Sequence, residues 1–428
     1  MTEIKKLSFF QSLSIATSST APLYSLVVTS ILMFPLVGGL GVPLVYLLAV
    51  IPSLLVCYSM RINNTAITSK GSVYSWSGTG KISWLSGFAL MVSGIICTAG
   101  LGIYAAEVLI GENKPFRSLL IASIIIIIGV TINYFSVKMT TIIQNVGMII
   151  QVIALIAIGY DVYNNASLDF TINGSISDWS HAFILALFAF WGFDAVFALS
   201  EETKEKVPNN SSITSIGIIL TFFMFGSLLF PSVQNGEIVN STLFGIALAV
   251  SAITAIGSTV IPTVRGIEAM ADNHELPKLL QNRSKSSILV ATTIILWMIL
   301  SVFINGFFWD SIEAISIFVG FYFTISALSA WKRTKQSIHM ITTIIMTALT
   351  TIVLTQMFKV DYGETSFMGV IGGVGIIVTL IAIFGLLMTL VFTKNKEGTS
   401  LWIRKREEEE SKGQEITDEI LTNFIGIK

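Results

Sequence analysis

The sequence predicts an all-α integral membrane protein of about twelve transmembrane helices: two inverted repeats of five, with breaks in helices 1 and 6, followed by two further helices. Three observations predict it. The 428 residues are 53% hydrophobic and only 12% charged, with a mean hydropathy of +0.79, whereas soluble domains carry roughly 25% charged residues. Apolar runs of bilayer-spanning length recur from end to end. Two of those runs, five apart, carry interruptions that lipid does not tolerate without compensation.

Runs near the ~20 residues that cross a hydrocarbon core fall at 12–34, 38–60, 83–111, 118–136 and 140–160, which form the first repeat (12–160). The second repeat (181–331) holds runs at 181–200, 211–231, 242–271, 286–308 and 312–331; a final pair (338–393) holds 338–358 and 368–393. A single transmembrane domain thus covers 1–393. The first run is expected to stay in the working protein, because no small-residue cleavage site follows it. Residues 394–428, with four glutamates at Glu407–Glu410, read as a charged cytoplasmic tail forming a solvated helix.

Span 1 contains SIATSSTAPLYSL, Ser14 to Leu26. Hydroxyl side chains bond back to the preceding turn and alone would not interrupt a helix. Pro22 lacks the N–H that would reach the Ser18 carbonyl, and its ring crowds that turn. Span 6 reads HAFILALFAFWGFDAVFALSEE, with Gly192 after an aromatic run and Asp194 near the middle. A carboxyl at that depth faces a bundle interior, a pathway or an ion, or is held by nearby hydroxyls and backbone donors. Interruptions at corresponding places in oppositely inserted halves point to a transporter with its site at the midplane. The symmetry is one of topology, since no residue-by-residue repeat is visible.

Lysine and arginine set the orientation, because positively charged loops resist translocation. With the N-terminus inside, only Lys114, Arg117 and Lys359 of the 25 lysines and arginines fall outside. Both termini are therefore expected in the cytoplasm of a multi-pass protein of the cell membrane. The net charge of −1 and the topological role of the basic loops give no reason to expect nucleic acid. Cys57 and Cys97 lie inside spans, where packing is the natural role. His181, His274 and His339 lack metal-ligand spacing. No residue pattern fixes an oligomeric state.

At this point the sequence resembles the amino acid-polyamine-organocation (APC) transporters, which have the LeuT-like fold, over nearly the whole chain. FAFWGFDAVFALSEETKEKVPNN (Phe188–Asn210) is similar to the family's sixth span and the loop after it. RGIEAMADNHELPK (Arg265–Lys278) resembles its eighth-span exit, and GSVYSW (Gly71–Trp76) the entry to its third span. The first span departs from the family's GSGIF-like pattern: with Tyr24 on its final aromatic, Thr20, Ala21 and Pro22 replace the small triplet.

The resemblance implies a substrate carboxylate at the start of the second half-helix, where unpaired donors and the helix dipole favour an anion. The N–H groups of Thr20, Ala21 and Leu23 and the hydroxyls of Ser18 and Ser19 are the candidate donors. It implies an ammonium against main-chain carbonyls around Phe188, Ala189 and Trp191, with Phe188 as the aromatic gate. The alternative for Phe188 is packing against neighbouring helices. In span 5, Gln151 falls where several relatives carry a lysine; it cannot supply that charge, and satisfying backbone between helices is an equal expectation. Ser258 and Thr259 lie about 10 Å inward from Arg265 at 1.5 Å per residue, where sodium-coupled relatives use hydroxyls. A sodium site there, proton coupling through Asp194 or Glu107, or exchange without an ion all remain open. Glu107 is expected nearer the external vestibule, and Arg265 is a partner for Glu201 or Glu202 at an inner gate.

The expected function is a permease moving amino acids across the membrane by alternating access, cation-coupled and without a cofactor. A transporter of polyamines or other organic amines, or an exchanger, is the alternative; a polyamine would want acidic partners, and only Asp194 and Glu107 offer themselves. Trp191, Gly94 and Ala99 bear on pocket size. An enzyme is not expected, because no metal cluster, paired-carboxylate motif or activated nucleophile is present.

Overall fold

The computed structural model describes residues 6–78, 80–110, 114–165, 168–234, 241–304, 306–359 and 367–393. Among the described residues, twelve helices are long and apolar enough to span a bilayer. Spans 1 to 6 are Phe9–Val37, Gly41–Ala66, Lys81–Ile110, Pro115–Phe135, Val137–Asn164 and Ile176–Glu202. Spans 7 to 12 are Val207–Leu229, Thr242–Asp272, Arg283–Phe303, Asp310–Thr334, Ser337–Met357 and Gly373–Phe392. Each overlaps an expected run. Several run past the apolar stretch, as span 2 does through Arg61, Asn63 and Asn64 to Ala66, because a helix keeps its backbone paired after leaving the hydrocarbon. Span 12 starts later than expected: Met368 and Gly372 have left-handed backbones, and only a 3-10 turn, Phe367–Gly369, precedes it. The tail expected over 394–428 lies outside the described residues.

The spans pack as two groups. Spans 1, 2, 6 and 7 lie against one another, as do spans 3, 4, 8 and 9, with spans 3 and 8 side by side along much of their lengths. Each group holds members five spans apart, 1 with 6 and 2 with 7 in one, 3 with 8 and 4 with 9 in the other. Span 5 touches span 1 and span 8, while span 10 packs on spans 2, 3 and 11. One core cluster joins Leu23, Tyr46, Phe190, Phe197, Phe223 and Tyr322; a second joins Ala105, Ile126, Ala255 and Ile294 of spans 3, 4, 8 and 9. Span 3 is the most enclosed, with 78% of its central window buried, whereas spans 4, 5, 9 and 11 bury only 28%. Their outward side chains, such as Ile128, Ile149, Ile156 and Leu296, are exposed and apolar; they form the surface for lipid.

Spans 1 and 6 begin alike. Ser8 and Gln11 make a reciprocal capping box before span 1, and Ser175 and Asp178 make another before span 6, each satisfying two otherwise unpaired N–H groups. The start of span 1 also meets the end of span 6: the Leu7 N–H donates to the Glu202 carbonyl at 2.8 Å.

Candidate functional site

Both expected breaks are present. Span 1 divides into Phe9–Ser18 and Pro22–Val37, with Ala21 left-handed at φ 46° and Pro22 opening the second half, where its missing N–H costs nothing. Span 6 is α-helical over Ile176–Ala189, turns through Phe190–Gly192, and continues as a 3-10 helix, Phe193–Glu202. Gly192 has φ 124° and lies directly against the first break. A Cβ there would sit 2.6 Å from the Ser19 carbonyl carbon and 2.8 Å from the Thr20 nitrogen. The two interruptions therefore touch backbone to backbone, and only glycine fits the contact.

The main-chain donors of the first break are engaged within the chain. The N–H groups of Thr20 and Ala21 bond to the carbonyls of Thr17 and Ser18 at 3.3 and 3.0 Å, because the end of the first half-helix tightens to i→i−3 bonds. The Leu23 N–H donates to Gln151 Oε1, and the Tyr24 N–H to Ser251 Oγ, each at 3.2 Å. Ser25 N–H bonds to the Ala21 carbonyl at 2.8 Å. Side chains of spans 5 and 8 thus cap the second half-helix where a carboxylate was expected. Gln151 is fully buried, and its Nε2 donates to the Gly147 carbonyl at 3.3 Å, so its amide pairs with the backbone of two helices. The hydroxyls of Thr17 and Ser18 are buried without a hydrogen-bond partner, so Ser18 retains an unused donor.

The second break is held by span 10. The Trp191 indole N–H donates to Tyr322 Oη, and the Tyr322 hydroxyl donates to Asp194 Oδ2 at 2.8 Å. Tyr322 is fully buried, so Asp194 is anchored by a phenol rather than left bare. The Phe188 carbonyl accepts the Trp191 N–H at 3.0 Å. The Phe188 ring is half-buried against the core.

A cavity of ≈ 10 Å³ lies between the breaks, room for about one water molecule. Span 1 lines it with Ser19, and span 6 with Trp191, Gly192, Asp194 and Ala195. Leu90 and Gly94 of span 3 and Thr259, Pro262 and Thr263 of span 8 complete it. Of the expected residues the cavity brings together Ser19, Trp191, Asp194 and Thr259. Ser18, Thr20, Ala21, Leu23, Phe188, Ala189, Gln151 and Ser258 are not part of its lining. Ser258 is fully buried, donating to the Ala255 carbonyl at 3.1 Å, and Thr259 donates to the same carbonyl at 2.9 Å. Each hydroxyl oxygen keeps lone pairs for a cation. Glu107 is also outside the cavity lining, one turn from Tyr104, whose ring meets Tyr24 edge-on at 4.5 Å.

An ionic network lies at the end of the bundle that carries the basic loops. Arg265 pairs with Glu202 and, at 3.2 Å, with Glu268. Arg283 reaches Glu202 and Glu268 at 3.3 and 3.5 Å. Lys70 binds Glu268 at 3.5 Å and Asp272 at 2.7 Å. Glu201 instead accepts the Lys70 N–H at 2.9 Å. The network ties the loop after span 2 and the end of span 6 to spans 8 and 9. Beside it the Tyr74 hydroxyl donates to Glu275 at 2.8 Å; burial, then the neighbouring carboxylate, pushes the phenol well above its usual range.

Sequence reasoning missed Tyr322, Ser251, Glu268 and Lys70. A tyrosine or serine on an apolar helix gives no sign of which distant backbone group it meets. Glu268 carried a signal, a carboxylate three residues after Arg265 at a helix end. No curated protein matches the chain. A family model described as amino acid permease matches residues 7–427. With twelve apolar helices, two of them broken where they meet, this multi-pass membrane protein belongs to the amino acid permease family of the APC superfamily, transporters of amino acids or related organic cations.

Proposed function

We propose that the protein is a secondary active transporter that moves an amino acid across the cytoplasmic membrane by alternating access, coupled to a cation. The observation that carries this reading is the backbone contact between the two breaks, with a cavity beside it walled by spans 3 and 8. A carboxylate would take the Leu23 and Tyr24 N–H groups from Gln151 and Ser251, exchanging two neutral 3.2 Å contacts for charge-assisted ones, which are roughly twice as strong. The Ser18 hydroxyl is a further donor. The ammonium would lie against the carbonyls of Phe188, Ala189 and Trp191, with Phe188 as the gate.

Spans 1, 2, 6 and 7 would rock against spans 3, 4, 8 and 9. In the positive-inside orientation, with both termini cytoplasmic, the network of Lys70, Arg265 and Arg283 closes the inner side, so inward opening must break it. Sodium is the coupling ion favoured by position, because Thr259 lines the cavity and Ser258 is its neighbour on span 8. Proton coupling through Asp194 has against it the hydrogen bond from Tyr322.

The test is uptake by proteoliposomes of the purified protein, amino acid by amino acid, with a sodium or a choline gradient. Sodium-driven accumulation of at least one amino acid supports the reading, and loss of that dependence in Ser258→Ala/Thr259→Ala locates the ion. Accumulation of polyamines alone would replace the amino acid by an organic amine.

A further inference from the structure

We infer that the substrate is an α-amino acid with a small, uncharged side chain, and that Trp191, held by Tyr322, sets this limit. The inference rests on the amino acid reading above and narrows it.

Space at the breaks is already taken by the protein. Gly192 opens no room for a ligand, because the Ser19–Thr20 peptide occupies the place of its absent side chain. Gly94 opens none either, since the Thr263 hydroxyl lies where its Cβ would be. What remains is ≈ 10 Å³, so a side chain of any size enters only if a wall moves. The bulkiest wall is the Trp191 indole, and it is fixed. Its N–H is bonded to Tyr322, which is fully buried and itself bonded to Asp194. Swinging the indole aside strands a donor inside the bundle and strips the phenol of a partner, both penalised where water is scarce. Opening a cavity for a methyl or hydroxymethyl group asks for small shifts of Leu90 or Ala195. Admitting a leucine or phenylalanine side chain asks for the indole to leave.

Length points the same way for cationic side chains. Asp194 is the one acid lining the cavity, and its carboxylate accepts the Tyr322 hydroxyl at 2.8 Å while keeping its charge. A lysine or arginine stem is longer than the leucine side chain, so it asks for the same departure of the indole, and that departure breaks the Trp191–Tyr322–Asp194 chain that orients this carboxylate.

The experiment measures wild-type uptake in proteoliposomes for glycine, alanine, serine, leucine, phenylalanine, lysine and spermidine separately. Glycine, alanine or serine should be taken up at least ten-fold better than leucine or phenylalanine, since one misfitting methylene already costs about ten-fold or more. Trp191→Ala should raise the leucine-to-alanine uptake ratio at least ten-fold. Tyr322→Phe, which keeps the ring but removes the hydroxyl holding the indole, should raise it in the same direction, and serves if Trp191→Ala fails to fold. Wild-type uptake of leucine, phenylalanine or lysine equal to that of alanine would overturn the size limit while leaving the amino acid reading intact. Uptake of spermidine alone would overturn both. An unchanged ratio in folded Trp191→Ala or Tyr322→Phe would remove Trp191 as the determinant.

Discussion

Gly192→Ala tests whether the meeting of the two breaks is what makes this molecule work. At φ 124° an alanine is strained by about 1–3 kcal/mol. Its methyl would also stand 2.6 Å from the Ser19 carbonyl carbon and 2.8 Å from both the Ser19 oxygen and the Thr20 nitrogen. These are main-chain atoms, which cannot rotate away like a side-chain end. Restoring an ordinary contact of 3.4 Å from 2.6 Å requires the breaks to separate by 0.8 Å. Overpacking of that kind costs a further 1–3 kcal/mol or so, giving about 2–6 kcal/mol against the ~5–15 kcal/mol stability of ordinary domains. A displacement near 1 Å at a positioning site lowers function by about a hundred-fold. Melting of the detergent-purified variant and uptake per folded molecule are the two readouts. Gly217→Ala is the control, since nothing lies within 4 Å of its added methyl. Both readouts at wild-type level in Gly192→Ala would refute the backbone contact as a functional element.

Gln151→Glu should place a carboxylate on the Leu23 N–H, imitating the substrate's own, and so hold the fold while reducing amino acid binding at least ten-fold in a ligand-dependent melting assay; normal binding would show that the carboxylate lies elsewhere. Glu268→Gln removes a carboxylate shared by Arg265, Arg283 and Lys70. With Arg265 and Glu268 both buried, the expected loss is about 3 kcal/mol, together with faster labelling of an introduced Ser19→Cys thiol from the inner side. Unchanged labelling would separate the network from gating. Phe188→Ala should cut uptake per folded molecule with a modest loss of stability, whereas Phe193→Ala, fully buried beside Phe323 at 5.7 Å, should cost about 3–5 kcal/mol with uptake less affected. Equal uptake losses would demote Phe188 from gate to packing residue.

The fold was legible because lipid makes its rules severe. An apolar run of ~20 residues has few readings other than a spanning helix, and Pro22 or Gly192 with Asp194 in such a run has few readings other than a break. The partners of those breaks were not legible. Leu23 and Gln151 are 128 residues apart, Asp194 and Tyr322 likewise 128, and helix periodicity says which face a residue occupies without saying what it meets. The N–H groups of Thr20 and Ala21 looked available because Pro22 was read as leaving the backbone open. A tightened last turn of the first half-helix takes them up instead, and the left-handed Ala21 that follows it is a conformation for which alanine gives no sequence signal. The size of the pocket was equally hidden, since Gly94 suggests space until Thr263 is seen to fill it.

The two breaks are satisfied by different parts of the molecule, and this has a consequence for transport. Span 1 belongs with spans 2, 6 and 7, but its caps, Gln151 and Ser251, come from spans 5 and 8. Under the proposed rocking, motion of the first group against span 8 pulls the Tyr24 N–H from Ser251, leaving a half-helix N-terminus short of an acceptor in a region with little water. The bundle then resists moving by the cost of an unmet donor, about 1–3 kcal/mol. A substrate carboxylate bonded to the same N–H groups travels with span 1 and removes that cost. The capped form would thus be the resting form, with the substrate as the acceptor that lets the helix leave. On this account Ser251→Ala, which withdraws the cap without adding a charge, should speed exchange between inner and outer accessibility when no amino acid is present. Wild-type rates in that variant would mean that the cap does not restrain the motion.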